Sequence, residues 1–239
     1  MEEMEVCFLM DRFGYMKLID KNAYERNKEA VHNENKYVFN CMNTDKICIF
    51  TDTGKMHTIK AVDIPLGRFR DKGTPVDNLS NYDSSQERML YVAPVGQLRS
   101  DRLLFVTKTS MCKLVEGAEF DVAKRTIAST KLADEDELIF IGSASEMEQI
   151  VLQSHGGCFL RFLAQEVSTM KKTALGVRGM KLADDDYLEH AYLLAGHQEY
   201  TISYHDKEYA LNKVRLAKRD TKGIKRGYKK NLAFPEVRC

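Results

Sequence analysis

One pattern recurs five times along the chain: a short apolar strand, a polar turn, and a second strand carrying a basic or polar residue. The turns centre on Gly14, Gly54, Ser110, Gly157 and Lys207, at intervals of 40, 56, 47 and 50 residues. Asp tolerates the backbone of a tight turn and Gly supplies the positive φ, so "DRFG" and "DTG" predict β-hairpins. A period just under 50 residues, built from hairpins, restricts the chain to a repeat architecture.

Each of the last four hairpins is preceded by another apolar segment, such as "KYVFNCM" near Val38 and "ELIFIG" near Ile139. Because these segments are rich in Val, Ile, Phe and Tyr, they predict strands, and no long amphipathic helix is predicted. Repeats of three to four antiparallel strands favour an all-β, propeller-like fold of about five blades, which removes exposed sheet edges by closing a ring. A two-sheet sandwich is the alternative, but it does not explain a whole-repeat period.

The repeat also predicts the domain organisation. We expect a single domain over residues 1–239, because no linker interrupts the series of repeats. With a repeat of about 48 residues, the predicted blades span residues 5–36, 37–85, 86–132, 133–183 and 184–228, followed by a basic tail at 229–239.

The formal net charge of +1 conceals an asymmetry along the chain. From His205 to Cys239 there are 11 Lys or Arg and 4 Asp or Glu, whereas the rest of the chain carries 25 and 31. A basic end on an otherwise acidic chain predicts one surface that faces a polyanion.

Several functional classes are not supported by the sequence. No apolar run approaches the ~20 residues of a membrane span, and the chain begins with acidic residues rather than the basic region of a signal peptide, so we expect a cytoplasmic protein without membrane contact. No phosphate-binding loop, G-x-S-x-G or H-E-x-x-H motif is present, so no catalytic residue is predicted. The acidic runs at 134–137 and 184–186 lack the spacing of a calcium loop and are interpreted as solvated turns, so no metal or cofactor is predicted.

Two of the connectors between repeats carry nearly the same phrase, "KLADEDEL" at 131–138 and "KLADDDYL" at 181–188. The longer stretch "KKTALGVRGMKLADDDYL" resembles the R-x-A-x-G-V-R-G-I-x-L segment and acidic turn that lie between blades in the C-terminal domain family of the DNA gyrase A protein. "DRFGYMKLIDKNAY" is similar to that family's first hairpin, and "IFTDTGKMHTIKAVDIPLGRFRDKGTPVDNL" to its second. The resemblance extends from Glu5 to about Lys230.

This resemblance implies a β-pinwheel, a propeller-like fold whose hairpins exchange partners between neighbouring blades. It also implies sequence-independent binding and bending of double-stranded DNA around a basic outer rim, within a bacterial ATP-dependent type IIA topoisomerase. The implied partners are the N-terminal cleavage core and the B subunit, near the nucleoid. ATP and Mg would act in other regions of the parent enzyme.

One departure from the family bears on the type of topoisomerase. Gyrase members carry a Gln-Arg-Arg-Gly-Gly-Lys-Gly type box after the first hairpin, where a glycine-rich backbone can approach phosphate closely. Here the stretch reads "AYERNKEAVHNENKYV", and no glycine lies between Gly14 and Gly54. By resemblance, the loss of the box indicates the topoisomerase IV type. A gyrase domain with a degenerate box and a β-propeller platform for protein partners are the alternatives.

The predicted DNA-binding residues are cations of the connectors and of the basic end. They are Lys218, Arg219, Lys222, Lys225, Arg226, Lys229 and Lys230; then Lys171, Lys172, Arg178 and Lys181; then Lys124, Arg125 and Lys131; and then Arg68, Arg70 and Lys72. Arg178 has an equal alternative as a structural pin that binds carbonyls or the following acidic turn. On the hairpins, we expect the residues just after the turn to extend the basic surface: Lys17, Lys55, His57, Lys113 and Arg161.

Overall fold

The computed structural model describes residues 1–226 and 236–238. Its strands, in chain order, are β1 (Glu5–Met10), β2 (Tyr15–Ile19), β3 (Tyr37–Met42), β4 (Lys46–Thr51), β5 (Lys55–Lys60), β6 (Thr74–Pro75), β7 (Met89–Pro94), β8 (Arg102–Thr107), β9 (Met111–Glu116), β10 (Thr126–Ala128), β11 (Leu138–Ser143), β12 (Gln149–Ser154), β13 (Cys158–Leu163), β14 (Val177–Arg178), β15 (Leu188–Leu194), β16 (Thr201–Tyr204), β17 (Lys207–Ala210), β18 (Ile224–Arg226) and β19 (Glu236–Arg238). The short α-helices are α1 (Lys21–Arg26), α2 (Lys28–Glu34), α3 (Val76–Leu79) and α4 (Val95–Leu98). Single 3₁₀ turns lie at Ala61–Asp63, Gly117–Phe120, Ala164–Glu166 and Leu211–Lys213.

The strands form antiparallel sheets within two compact units. The first unit comprises Met1–Ser100 and Gly117–Ser129, and its two four-stranded sheets have the orders β3-β1-β2-β6 and β10-β5-β4-β7. The second comprises Asp101–Glu116 and the described residues from Thr130 onward. Its sheets have the orders β11-β8-β9-β14, β15-β12-β13-β18-β19 and β16-β17. The all-β class predicted from the repeat is therefore confirmed.

The four larger sheets are assembled from strands that are distant in sequence. The first hairpin, β1–β2, is flanked by β3 and by β6, and β6 follows the second hairpin in the chain. In the same way, the third hairpin, β8–β9, is flanked by β11 and by β14, which follows the fourth hairpin. The strand before each hairpin thus pairs with the previous hairpin, so one sequence repeat does not correspond to one sheet. This exchange of strands is the arrangement implied by the β-pinwheel resemblance.

The first strand of each of the first four hairpins (β1, β4, β8 and β12) is buried on both faces, which explains its continuous apolar sequence, whereas β16 of the fifth hairpin is not buried. In β1, Val6 and Phe8 pack into one apolar cluster while Cys7 and Leu9 pack into another. Alternate residues of a strand point to opposite faces, so a run such as "VCFL" contributes to two cores at once. Burial of this kind contributes about 1.5–3 kcal/mol per large side chain, and it fixes the hairpins on which the connectors are held.

The stretch after the first hairpin forms the helices α1 and α2, although the sequence predicted only a charged connector. The side chain of Asp20 accepts a hydrogen bond from the backbone N–H of Ala23 and thereby caps α1. Val31 of α2 is buried against the cluster that contains Leu9. One cap and one apolar anchor are too weak a pattern to indicate a helix by periodicity. No helix in the described part of the chain is long and apolar enough to cross a membrane.

Candidate nucleic-acid interface

Three connector loops, residues 66–75, 169–178 and 216–225, are held on hairpin strands in the same way. Each loop begins at a parallel bridge to its hairpin, formed by the pairs Leu66 and Leu18, Thr169 and Leu114, and Leu216 and Arg161. Each loop also ends in a short antiparallel strand on that hairpin, namely β6, β14 or β18. The three loops can therefore be compared residue by residue.

A glycine lies just before the closing strand of each loop. Gly73, Gly176 and Gly223 have φ values of 86°, 103° and 75°. A Cβ at each position would lie 2.6 Å from a backbone oxygen of the hairpin strand. Only glycine accommodates both the positive φ and this close approach, so each loop depends on its glycine.

Lys113 of β9 fixes the loop 169–178 from the interior. Its side chain is 1% exposed, and its Nζ donates to the carbonyl oxygens of Lys172 (2.9 Å), Ala174 (2.6 Å) and, at 3.5 Å, Lys171. Because these carbonyls turn toward the buried ammonium, the exposed side chain of Lys171 lies on the solvent side of the loop.

Lys17 of β2 occupies the equivalent position for the loop 66–75. Its Nζ donates to the carbonyl oxygens of Phe69 and, at 2.7 Å, Asp71. Burial lowers the pKa of Lys17, and the nearby Asp71 carboxylate acts in the opposite direction. In the fourth hairpin the equivalent residue is Leu160, and Arg219 contributes to holding the loop 216–225.

The Arg219 guanidinium is directed into the protein rather than into solvent. It donates to the carbonyl oxygens of Glu166 (3.0 Å) and Arg178 (2.6 Å), and the backbone N–H of Arg219 donates to the Glu166 carboxylate (3.2 Å). A half-buried guanidinium with these partners acts as a structural group, although the sequence predicted it as a DNA-binding residue.

The connector that carries Lys124 and Arg125 is held by a buried polar network. His57 Nδ1 hydrogen-bonds Thr126 of β10 at 2.9 Å, and its Nε2 contacts the Glu87 carboxylate at 2.9 Å. Burial alone would raise the pKa of Glu87, but hydrogen bonds, including the one from Thr51, outweigh it and place the pKa below its usual value. The carboxylate therefore stays ionised where it anchors this network.

The hairpin cations do not form the continuous basic surface that was predicted. Lys113 and His57 are each 1% exposed, so the prediction is wrong for them. Lys17 and Arg161 are half-buried and donate to connector carbonyls, whereas Lys55 remains exposed. Their recurrence just after the hairpin turns suggested a solvent-facing basic surface, but Lys17, Lys113 and Arg161 instead donate to the carbonyls of residues distant in sequence.

Most of the predicted DNA-binding cations in the connectors are on the surface. The exposed residues are Arg68, Arg70, Lys72, Lys124, Arg125, Lys131, Lys171, Arg178, Lys181, Lys218, Lys222 and Lys225. Lys172, Arg219 and Arg226 are half-buried. The predictions for Lys229 and Lys230 lie outside the described residues.

In the second unit, backbone hydrogen bonds bring three connectors side by side. The N–H of Lys131 donates to the carbonyl of Lys172 (3.1 Å), and the N–H of Lys181 donates to the carbonyl of Thr221 (2.9 Å). We use the name connector surface for the exposed cations that this arrangement groups together, which are Lys131, Lys171, Lys181, Lys218 and Lys222.

Arg178 lies within this region but is paired. Its guanidinium forms an ion pair with Asp220. The hydrogen bond to Asp220 raises the pKa of Arg178, and the same hydrogen bond lowers the pKa of Asp220. The pairing supports the structural-pin alternative, with Asp220 as the partner in place of the acidic turn at 184–186.

The repeated acidic turns cap the hairpin turns of the second unit. Asp136 accepts a hydrogen bond from the backbone N–H of Thr109 (3.1 Å), and Asp186 accepts one from Gly156 (2.8 Å). Each preceding residue, Glu135 or Asp185, has a positive φ. The two "KLAD" phrases therefore end in a carboxylate that satisfies a turn. Among the residues described, no group of three or more His, Cys, Asp or Glu could hold a metal ion.

The repeated hairpins, exchanged strands and connector loops define a propeller-type repeat domain. The family described as DNA gyrase C-terminal domain, beta-propeller, matches residues 45–84, 101–145 and 148–195. These segments cover more than half of the chain, so the chain belongs to this family.

Individual proteins agree with this assignment. The DNA gyrase A protein of Ureaplasma parvum serovar 3 is 25% identical over 236 residues, which are 92% of this chain and 28% of that protein. The DNA gyrase A protein of Salmonella typhimurium is 31% identical over 144 residues, which are 59% of this chain and 16% of that protein. The chain thus spans less than a third of the length of these relatives.

Solved structures share the fold. The C-terminal domain of DNA topoisomerase IV has a TM-score of 0.82 at 22% identity and covers 99% of this chain and 79% of its own. The E. coli ParC C-terminal domain has a TM-score of 0.71 at 13% identity and covers 92% of both chains.

Proposed function

We propose that this chain is a non-catalytic domain that binds and bends duplex DNA within the A protein of a bacterial type IIA topoisomerase. The observation that carries the proposal is the connector surface, where connectors joined by backbone hydrogen bonds present five exposed lysines. Lysine ammonium groups recognise phosphate charge rather than base sequence, so the binding is sequence-independent. The partners on this proposal are DNA, the cleavage core and the B subunit, in the bacterial cytoplasm.

We expect simultaneous replacement of four lysines of the connector surface by Ala to abolish most of the DNA binding. In K171A/K181A/K218A/K222A, the loss of up to four phosphate contacts should make the slope of log affinity against log salt less steep by up to about 3.6. Fluorescence anisotropy with a labelled duplex of about 40 base pairs, long enough to cross several connectors, measures both affinity and slope at a series of salt concentrations.

The matched control removes four exposed cations from the helices α1 and α2 and from the turn that follows them, in K21A/R26A/K28A/K36A. This control should keep its affinity to within about twofold. If the unmodified chain did not bind the duplex, or bound it without dependence on salt, the proposal would be contradicted. If the immobilised chain retained proteins but not DNA, the protein-platform alternative would be favoured.

The finer proposal is that the domain is of the topoisomerase IV type. The helices α1 and α2 occupy the stretch where a gyrase carries its glycine-rich box. This segment has no glycine and its backbone is folded into two helices, so it does not offer the bare, adaptable backbone that a glycine-rich loop presents to phosphate. A gyrase domain whose box has degenerated is the alternative.

Ligation of nicked circular DNA in the presence of the chain distinguishes these two types. The topoisomerase IV proposal predicts little change in linking number as the protein-to-DNA ratio rises, because the DNA is bent without a complete wrap. A large change of positive sign, proportional to bound protein, would indicate the gyrase type. Binding measured on the same samples ensures that a null result is not merely absence of complex.

A further inference from the structure

The loops 66–75 and 169–178 share one geometry but differ at one chemically important position. In both, a buried or half-buried lysine holds the carbonyls, and a glycine with positive φ closes the loop. Both also contain the same turn, in which the N–H of Asp71 donates to the Arg68 carbonyl (3.1 Å) and the N–H of Ala174 donates to the Lys171 carbonyl (3.0 Å). Asp71 and Ala174 are therefore equivalent, and only the first carries a charge.

The Asp71 carboxylate folds back over its own loop. Its Oδ2 accepts a hydrogen bond from the backbone N–H of Arg68 (2.7 Å), and its Oδ1 lies 3.6 Å from Arg68 Nε. An oxyanion bound by a backbone N–H and flanked by a guanidinium is the arrangement that a phosphate group would adopt in such a loop.

The second loop has the same framework without the carboxylate. The residue equivalent to Arg68 is Lys171, whose N–H has no acceptor in the described part of the chain. By equivalence with Arg68, whose N–H faces the Asp71 carboxylate, the Lys171 N–H faces the position that Ala174 leaves without a carboxylate. This N–H and the exposed side chain of Lys171 together suit a single phosphate oxyanion.

We infer that the loop 169–178 contains a phosphate site and that the carboxylate of Asp71 occupies the equivalent site of the loop 66–75. This inference rests on the proposed DNA binding, and it names which of two similar loops contacts the backbone of the nucleic acid. The three cations Arg68, Arg70 and Lys72 then contribute little direct contact, despite being as exposed as those of the second unit.

The test exchanges the two residues. Each variant is compared with a control substitution at a nearby residue that changes the net charge by the same amount. Asp71→Ala should open the first site, tighten duplex binding about three- to tenfold and steepen the salt slope by about 0.9. Ala174→Asp should close the second site and change both quantities by similar amounts in the opposite direction. The controls Asp63→Ala and Thr173→Asp alter the charge at exposed positions beside or within the same loops and should leave the salt slope unchanged.

A second measurement does not depend on DNA. In amide NMR titrations with inorganic phosphate, we expect the Lys171 signal to shift in the unmodified chain, and the Arg68 signal to shift only in Asp71→Ala. If these shifts occur but the duplex is not bound, the site stands and the proposed function fails. If the duplex is bound but Asp71→Ala behaves as Asp63→Ala does, or Lys171 does not respond to phosphate, the inference is overturned.

Discussion

Replacement of Lys113 by Met is expected to lower the free energy of unfolding by about 2–4 kcal/mol, because the buried carbonyls of the loop 169–178 lose their donor. Met keeps the apolar stem of the side chain, so the variant isolates the ammonium. Lys113 is 1% exposed and donates to the carbonyls of Lys172 and Ala174. Urea unfolding of the full chain, followed by circular dichroism, measures the loss.

The control for this experiment is Lys17→Met on β2. Lys17 makes the same kind of contact, with the carbonyls of Phe69 and Asp71, but its side chain is only half-buried. Water can therefore replace the ammonium, and we expect a loss of about 1 kcal/mol. If Lys113→Met were as stable as the unmodified chain, desolvation of the ammonium would already cancel its hydrogen bonds, and the structural role assigned to Lys113 would be wrong.

The hairpins could be predicted because their signals are local. Gly14, Gly54 and Gly157 all adopt the positive φ that the turns require. The third turn lacks glycine, and Ser110 takes a φ of 73° there while its side chain accepts a hydrogen bond from the N–H of Met180. Turn chemistry is set by two or three residues, so one sequence is enough to read it.

The pairing of the strands and the burial of the hairpin cations could not be predicted from local sequence in the same way. β6 is two residues long and lies more than 50 residues after the hairpin strand that it pairs with. Likewise, Lys113 in "MCKLVE" was predicted to extend the basic surface, yet it donates to carbonyls that are 58 to 61 positions away. Such contacts depend on the tertiary arrangement, and the sequence of one strand contains no information about them.

In the candidate interface, too, some features could be predicted from local sequence, whereas others depend on residues that are distant in the sequence. The sequence predicted connector cations such as Lys171, Lys181 and Lys218 as DNA-binding residues, and these three are exposed. It gave Arg178 an alternative role as a structural pin, but it did not identify the partner, Asp220, which lies 42 positions away in the sequence. A charge run indicates how many cations a segment has, whereas its free cations depend on where the carboxylates of other segments lie.

Substitution of Gly176 by Ala is expected to destabilise the second unit by about 2–4 kcal/mol, since the new Cβ meets two separate obstacles. The residue has a φ of 103°, and the Cβ would lie 2.6 Å from the backbone oxygen of Cys112. Neither obstacle can be relieved by rotating a side chain, so the strand β14 must move away from β9. Urea unfolding measures the loss, and faster hydrogen exchange at Val177 and Arg178 should report the opening of that pairing.

Gly156→Ala is the matched control in the same unit. Its Cβ would meet the end of the Asp186 side chain, at 2.8 Å, rather than backbone, and the residue is not among the glycines with positive φ. The Asp186 carboxylate can rotate, so we expect a loss below about 1 kcal/mol. Equal stability of the two variants would contradict the role assigned to Gly176, because it would mean that the loop 169–178 can leave β9 without cost. The lysines of that loop would then have no fixed geometry toward a phosphate, and the connector surface would act only through its net charge.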